Sequence, residues 1–202
     1  MKIIDFHNHI YTEKIARKAT DAVGAFYDFQ VMERTGTLEE LISSHKEAGI
    51  DICVVHAVAT NPHQVQTVND FVARSAYDNP GTIYAFGSLH QEYEDKIAEI
   101  DRCISMGLKG IKLHPDTQLL NVDDELPLLL HAGDYRYDYS HPRRIKRICE
   151  MFPKLQVIGA HFGGWSVWED AIEYLFKLEN CMIDTSSTSG FTTPEIFEKL
   201  IY

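Results

Sequence analysis

Two histidines one residue apart, His7 and His9 in "IIDFHNHIY", lie almost at the start of the chain. In a strand, residues two apart share a face, so the pair aims two imidazoles into one small volume. Neutral imidazole suits zinc and similar divalent ions, and an H-x-H pair supplies two ligands at little ordering cost. Other apolar runs end the same way: "KLH" at His114, "LLLH" at His131 and "GAH" at His161, with His90 after a further run. A lone histidine in such a place is most simply a hydrogen-bonded, partly buried side chain. Histidine at five strand ends is hard to explain so, and a catalytic metal site, with three protein ligands and an open position for water, fits it. His45 on a helical stretch, His56 within a strand, and His63 and His141 in loops are left outside that set.

The elements that must position these residues are short apolar runs: Lys2–His7, Asp51–Val58, Thr82–Leu89, Leu108–His114, Leu126–His131, Gln156–His161 and Asn180–Asp184. Most follow an amphipathic helical stretch and a Gly, Pro or Asn break. In "LEELISSHKEAGIDICVVH", Leu38, Leu41, Ile42 and His45 recur at helical spacing, Gly49 ends the helix, and a strand begins at Ile52. Strand alternating with helix implies a parallel sheet, and continuous apolar runs such as "PLLLHA" imply that both its faces are covered.

A doubly wound sheet and a (β/α)8 barrel both fit, but no G-x-G-x-x-G follows the first strand to support dinucleotide binding. In either fold, functional groups gather at the carboxyl ends of the strands. Between His114 and Leu126 only "PDTQLLNVDDE" remains, which leaves no room for a complete amphipathic helix in a crossover of about 10–12 residues. The expectation is one domain over residues 1–202 with seven strands and a fourth unit that has either lost its helix or lacks residues; read as a barrel, it would be without an eighth strand.

The chain has 202 residues, 45% hydrophobic and 24% charged, with a formal net charge of −11. That balance argues against a phosphate-backbone binder. With no apolar leader or run of about 18 apolar residues, a cytoplasmic protein without membrane partners is expected. Cys53, Cys103, Cys149 and Cys181 lie far apart in apolar segments and are expected to be reduced thiols.

"DFHNH", "GIKLHP", "LLLHAGD" and "IGAHFGG", in this order from Asp5 to Gly164, resemble the amidohydrolase superfamily. Within it, the chain is most similar to the amidohydrolase-related (amidohydrolase 2) family of metal-dependent TIM-barrel hydrolases and decarboxylases. The resemblance implies an α/β (β/α)8 barrel, His7, His9 and His131 as metal ligands, and His161 as the residue that orients or deprotonates the metal-bound water. It implies one divalent ion, zinc first, with manganese or iron open, and a homodimer. Lys112, two residues before His114, has two readings under it. One is a carboxylated lysine bridging two ions with His131 and His161; the preferred one, with a single metal, is a cation that with His114 receives an anionic substrate group. The family usually adds an aspartate at the eighth strand. Asp184 sits on the seventh and is expected instead to cap backbone amides. In "HAGDYRYDYSHP", Arg136 is either a partner for a substrate carboxylate or part of a packed surface loop.

The expected activity is hydrolysis of a small anionic amide, ester or lactone by metal-activated water. The alternatives are a nonoxidative decarboxylase on the same ligands and a degenerate barrel that binds metal or partners without turnover. A TatD-like nuclease, which would place a glutamate where this chain has "KLHP", ranks last.

Overall fold

The computed structural model of the chain describes residues 2–28, 34–119, 129–188 and 190–201. Among these, seven strands alternate with helices. In order they are β1 (Ile4–His9), α1 (Glu13–Phe26), α2 (Leu38–Ala48), β2 (Ile52–His56), α3 (Val65–Asp78), β3 (Ile83–Ser88), α4 (Lys96–Ser105) and β4 (Ile111–Leu113). There follow α5 (Pro115–Gln118), β5 (Leu129–Leu130), α6 (Pro142–Met151), β6 (Val157–Gly159), α7 (Trp168–Tyr174), β7 (Cys181–Ile183) and α8 (Pro194–Ile201). This is a TIM-barrel-like α/β succession, as the strand spacing predicts.

The residues form two compact units. The first comprises Met1–Ala57, Gln66–Gly87 and Ile97–Lys109, and the second Val58–Val65, Ser88–Lys96 and Gly110–Tyr202. Within the first, β1, β2 and β3 pair in parallel in chain order. Within the second, β4, β5, β6 and β7 do the same.

In the first unit, α2 starts where Thr37 Oγ1 accepts the Glu40 N–H at 3.3 Å and stops at Gly49, whose φ of +70° a residue without Cβ adopts at no cost. The Gly49 and Ile50 N–H groups return to the Lys46 and His45 carbonyls, which turns the chain directly into β2. Val54, Val55, Ile83, Ala85, Val72 and Cys103 form the apolar interior. There the carboxylate of Glu99 accepts Asn69 Nδ2 at 2.6 Å and Arg102 Nε and Nη2 at 2.9 and 2.8 Å, tying α4 to α3.

In the second unit, Leu129 and Leu130 are fully buried, as a strand covered on both faces requires. Ile145, Ile148 and Cys149 of α6 are buried too, and Phe162, Trp168 and Leu200 form a further apolar cluster. Gly133, at φ +76°, has no room for a side chain, because a Cβ there would lie 2.7 Å from the Gly164 backbone. The strand expected over Leu126–His131 begins in residues outside the described ones. After β4 the four-residue α5 is described, and the rest of the fourth unit, residues 120–128, lies outside the described ones. The cysteines are free thiols, three buried and Cys181 half-buried. No helix among the described residues is long and apolar enough to cross a membrane.

Candidate functional site

β1 spans Ile4–His9, two residues beyond the expected end, so His7 and His9 lie inside the strand. Its pairing with β2 contains an irregularity: Asp5 faces Cys53 and His9 faces His56, so four steps along β1 match three along β2. One extra residue on β1 is a bulge, which shifts the phase of the side chains between Asp5 and Asn8. Without it, Asp5 would share the face of His7 and His9. With it, Asp5 leaves that face, its Oδ2 lying 3.1 Å from His45 Nε2 on α2.

The short polar residues of "DFHNH" hold the bulge. Asp5 Oδ1 accepts the His7 N–H at 3.2 Å, and Asn8 Nδ2 donates to the carbonyls of Asp5 and Val54, each at 3.2 Å. Asn8 is buried, so these bonds occupy backbone acceptors that the broken ladder would otherwise strand.

The register then places His56 beside His9. The His56 ring lies 4.4 Å from that of His9 and 4.7 Å from that of His7, both edge-on, and His7 and His9 are 5.4 Å apart. One ring nitrogen from each can be chosen so that all three lie within 4.8 Å of one another. His56, set aside on sequence grounds, thus belongs to the first unit's imidazole group.

The second unit gathers a different set. Lys112 precedes His114 by two residues, and the register continues Leu113↔Leu130 to bring His114 beside His131. Their rings stack at 4.1 Å and 8°. α5 folds Asp116 back towards them, its Oδ2 accepting Ser140 Oγ at 2.8 Å and lying 3.5 Å from His131 Nε2. His114, Asp116 and His131 form the second group whose donor atoms lie within 4.8 Å of one another.

His161 reaches this cluster by a strained turn. His161, Phe162 and Gly163 all have positive φ, at +59°, +53° and +76°, a cost of about 1–2 kcal/mol for each of the two residues with a side chain. Asp184 of the segment after β7 pins the turn: its Oδ1 accepts the His161 N–H at 3.0 Å and its carbonyl accepts the Phe162 N–H at 2.7 Å. The same Oδ1 accepts the Ser186 N–H at 3.0 Å, so Asp184 caps backbone amides as expected.

These contacts set the imidazole protons. His161 Nδ1 lies 3.0 Å from the Ser186 carbonyl oxygen, which can only accept. The proton therefore sits on Nδ1, and Nε2 accepts from His131 Nδ1 at 3.1 Å. His131 keeps its Nε2 lone pair towards Asp116. Burial pushes His161 down to about 4, against the pull of Asp184, so it is neutral at pH 7. Burial pushes the Asp116 carboxyl up to about 7, against the Ser140 hydrogen bond, so a proton is shared there near neutrality. Lys112 is fully buried, and burial pushes its ammonium down to about 7, opposed by Asp184. Among the described residues its Nζ has no hydrogen-bond partner.

Of the sequence-predicted site residues, His7 and His9 stand together in the first unit, and Lys112, His114, His131 and His161 in the second. Arg136 is already engaged: its Nε and Nη2 donate to Asp134 Oδ1 and Oδ2 at 3.0 and 2.8 Å. His90 accepts the Glu92 N–H at 3.2 Å in a local turn, and His141 caps α6. Besides His56, sequence reasoning missed Asp116, whose signal is an H-x-D spacing after β4.

The fold is thus of the TIM-barrel type, with clustered histidines at strand ends. The sequence profile of the Amidohydrolase family (Amidohydro_2) matches residues 4–201, and the chain belongs to that family. No curated protein matches it. Solved structures do. A 5-carboxyvanillate decarboxylase from Novosphingobium aromaticivorans, with bound manganese and 3-methoxy-4-hydroxy-5-nitrobenzoic acid, superposes with a TM-score of 0.62 at 18% identity, over 80% of this chain and 66% of that one. The chain thus spans about two thirds of that relative's length. The 5-carboxyvanillate decarboxylase from Sphingomonas paucimobilis gives 0.68 at 16%, over 99% and 84%. A probable 2-pyrone-4,6-dicarboxylic acid hydrolase from Acinetobacter baumannii, with citric acid bound, gives 0.60 at 16%, over 99% and 76%. At such identities the likeness is one of fold.

Proposed function

We propose that this protein is a metal-dependent hydrolase of the amidohydrolase type, acting on a small anionic amide, ester or lactone. The observation that carries the reading is the row in which Asp116 lies 3.5 Å from His131, His131 hydrogen-bonds His161 and His161 hydrogen-bonds Ser186, with Asp116, His131, His161 and Lys112 all buried in the second unit.

His7 and His9 in the first unit would hold a divalent ion, and within the second unit His131 is likewise a proposed metal ligand. Their donors fit one: the imidazole group of β1 and β2, and the His114, Asp116 and His131 group, each bring three nitrogen or oxygen donors within 4.8 Å. When bound, such an ion polarises a substrate oxygen and acidifies water. Imidazole-rich donors suit zinc, and manganese is the alternative raised by the decarboxylase bound to it.

The chain's own groups do the rest. His161, with Nδ1–H anchored on Ser186, has only Nε2 with which to orient or deprotonate the attacking water. In the resting arrangement that lone pair accepts from His131 Nδ1–H, so the row can pass a proton from Asp116 through His131 towards His161. Lys112 lacks a hydrogen-bond partner among the described residues, so an incoming carboxylate supplies the acceptors that a buried ammonium needs. His114 is stacked on His131, and Arg136, oriented by Asp134, is the second cation for the substrate.

Nonoxidative decarboxylation is the second reading, favoured by the two decarboxylases of similar fold. A panel of carboxylated lactones, esters and aromatic acids, assayed with the metal-loaded protein, separates the two. Hydrolysis consumes water without releasing CO2, and decarboxylation does the reverse. Activity independent of added metal and unchanged in His7→Ala contradicts both. The reading carries a cytoplasmic homodimer with it, checked by native mass spectrometry.

A further inference from the structure

We propose that His56 is a metal ligand, so that the first unit brings three imidazoles, those of His7, His9 and His56, to the ion. The inference rests on the reading that β1 holds a divalent ion, and it names a donor that the H-x-H pair alone does not reveal.

Three features of the backbone converge on it. β2 ends at His56, so this imidazole stands at a strand's carboxyl end, as do the other histidines of the family pattern. The register pairs it directly with His9, which puts the two Cβ atoms on one face of adjacent strands. The bulge before Asn8 keeps His7 on that face while removing Asp5 from it.

The result is a triangle of donors within 4.8 Å of one another, made of imidazoles alone. Nitrogens bound tetrahedrally to zinc at about 2.0–2.1 Å lie roughly 3.3 Å apart, so small rotations of the rings close the triangle on an ion. His56 is fully buried, while His7 and His9 are half-buried. A ligand set sealed on one side and open on the other is what a site with a free coordination position needs. Phe86, the register partner of His56 on β3, is buried and continues the apolar wall on that sealed side.

Cobalt(II) titrations followed by the d–d absorption of the bound ion, on wild-type protein, His9→Ala and His56→Ala, test this. Loss of a ligand should exceed the roughly 10–100-fold that loss of a hydrogen-bonding partner around a metal costs. His56→Ala is therefore expected to weaken cobalt binding more than about 100-fold, as His9→Ala does. As a check that does not depend on the variant folding, zinc is added to wild-type protein labelled with 15N in histidine. The ring nitrogens of His7, His9 and His56 are expected to shift together. Cobalt affinity unchanged in His56→Ala, or His56 nitrogens that stay put while those of His7 and His9 move, overturns the assignment but leaves metal binding by β1 intact. Wild-type protein that takes up neither ion overturns both.

Discussion

The histidine group of the first unit and that of the second are built from the same residue type and do not resemble each other chemically. On β1 and β2 the donors are imidazoles only, aligned by strand register and one bulge, and the nearest carboxylate on β1, Asp5, is turned away to His45. In the second unit the imidazoles are interleaved with Asp116, Lys112 and Asp184, and hydrogen bonds place the ring protons of His131 and His161. The first arrangement suits holding a cation. The second suits moving protons and receiving negative charge. Imidazole serves as ligand or as acid and base according to the groups beside it.

If that division holds, the largest effect comes from the second unit. His131→Ala removes both a proposed ligand and the centre of the proton row, and should lower kcat by roughly 10³–10⁴-fold, the upper range for loss of acid–base catalysis. Retention of more than a tenth of the wild-type kcat in steady-state assays contradicts the row's role.

Next, Lys112→Met should raise KM for anionic substrates by about 10–100-fold, the equivalent of one charge-assisted hydrogen bond, with little change for neutral analogues. Because it replaces a buried ammonium by an apolar chain of similar length, its thermal midpoint should equal or exceed wild type. A fall in kcat with KM unchanged moves Lys112 from substrate contact to chemistry.

Asn8→Val sharpens the account of the first unit. It strands the carbonyls of Asp5 and Val54 that Asn8 satisfies, at a cost of about 1–3 kcal/mol. Relaxation of the bulge should also weaken cobalt binding by about tenfold. Unchanged affinity separates the bulge from the ligand geometry.

Glu99→Gln is the control, in the same unit but within the α3–α4 contact. Burial raises the Glu99 carboxyl, but Arg102 and Asn69 outweigh it and hold the group below its ordinary 4.5. A depressed folded value means that its contribution is complete at neutral pH and is lost as pH falls from about 4.5 through the folded value. Denaturant titrations should show the variant about 1–2 kcal/mol less stable at pH 7, with the gap closing in acid and metal affinity untouched.

Most of the fold was legible because a period of two and a period near 3.6 mark strands and helices independently of tertiary context. Gly49 and the helix before it fell where expected. The grouping of His7 with His9, and of His114, His131 and His161, was legible for the same reason, at the ends of apolar runs. His56 was missed because its run reads on to Val58, whereas the strand ends at His56 itself. Asp116 was missed because only the turn of α5 brings it back to His131. The approach of His161 was also hidden, since it depends on left-handed backbone at two residues with side chains, which strand alternation does not foretell. The orientation of Arg136 by Asp134, two residues earlier, was not read from the sequence either.

The central claim is that the imidazoles of β1 hold a divalent ion. Anomalous diffraction from crystals grown with zinc, recorded on either side of the zinc edge, tests it directly. The account predicts a peak about 2.0–2.3 Å from ring nitrogens of His7 and His9. Crystals with no anomalous density beside those two residues contradict it.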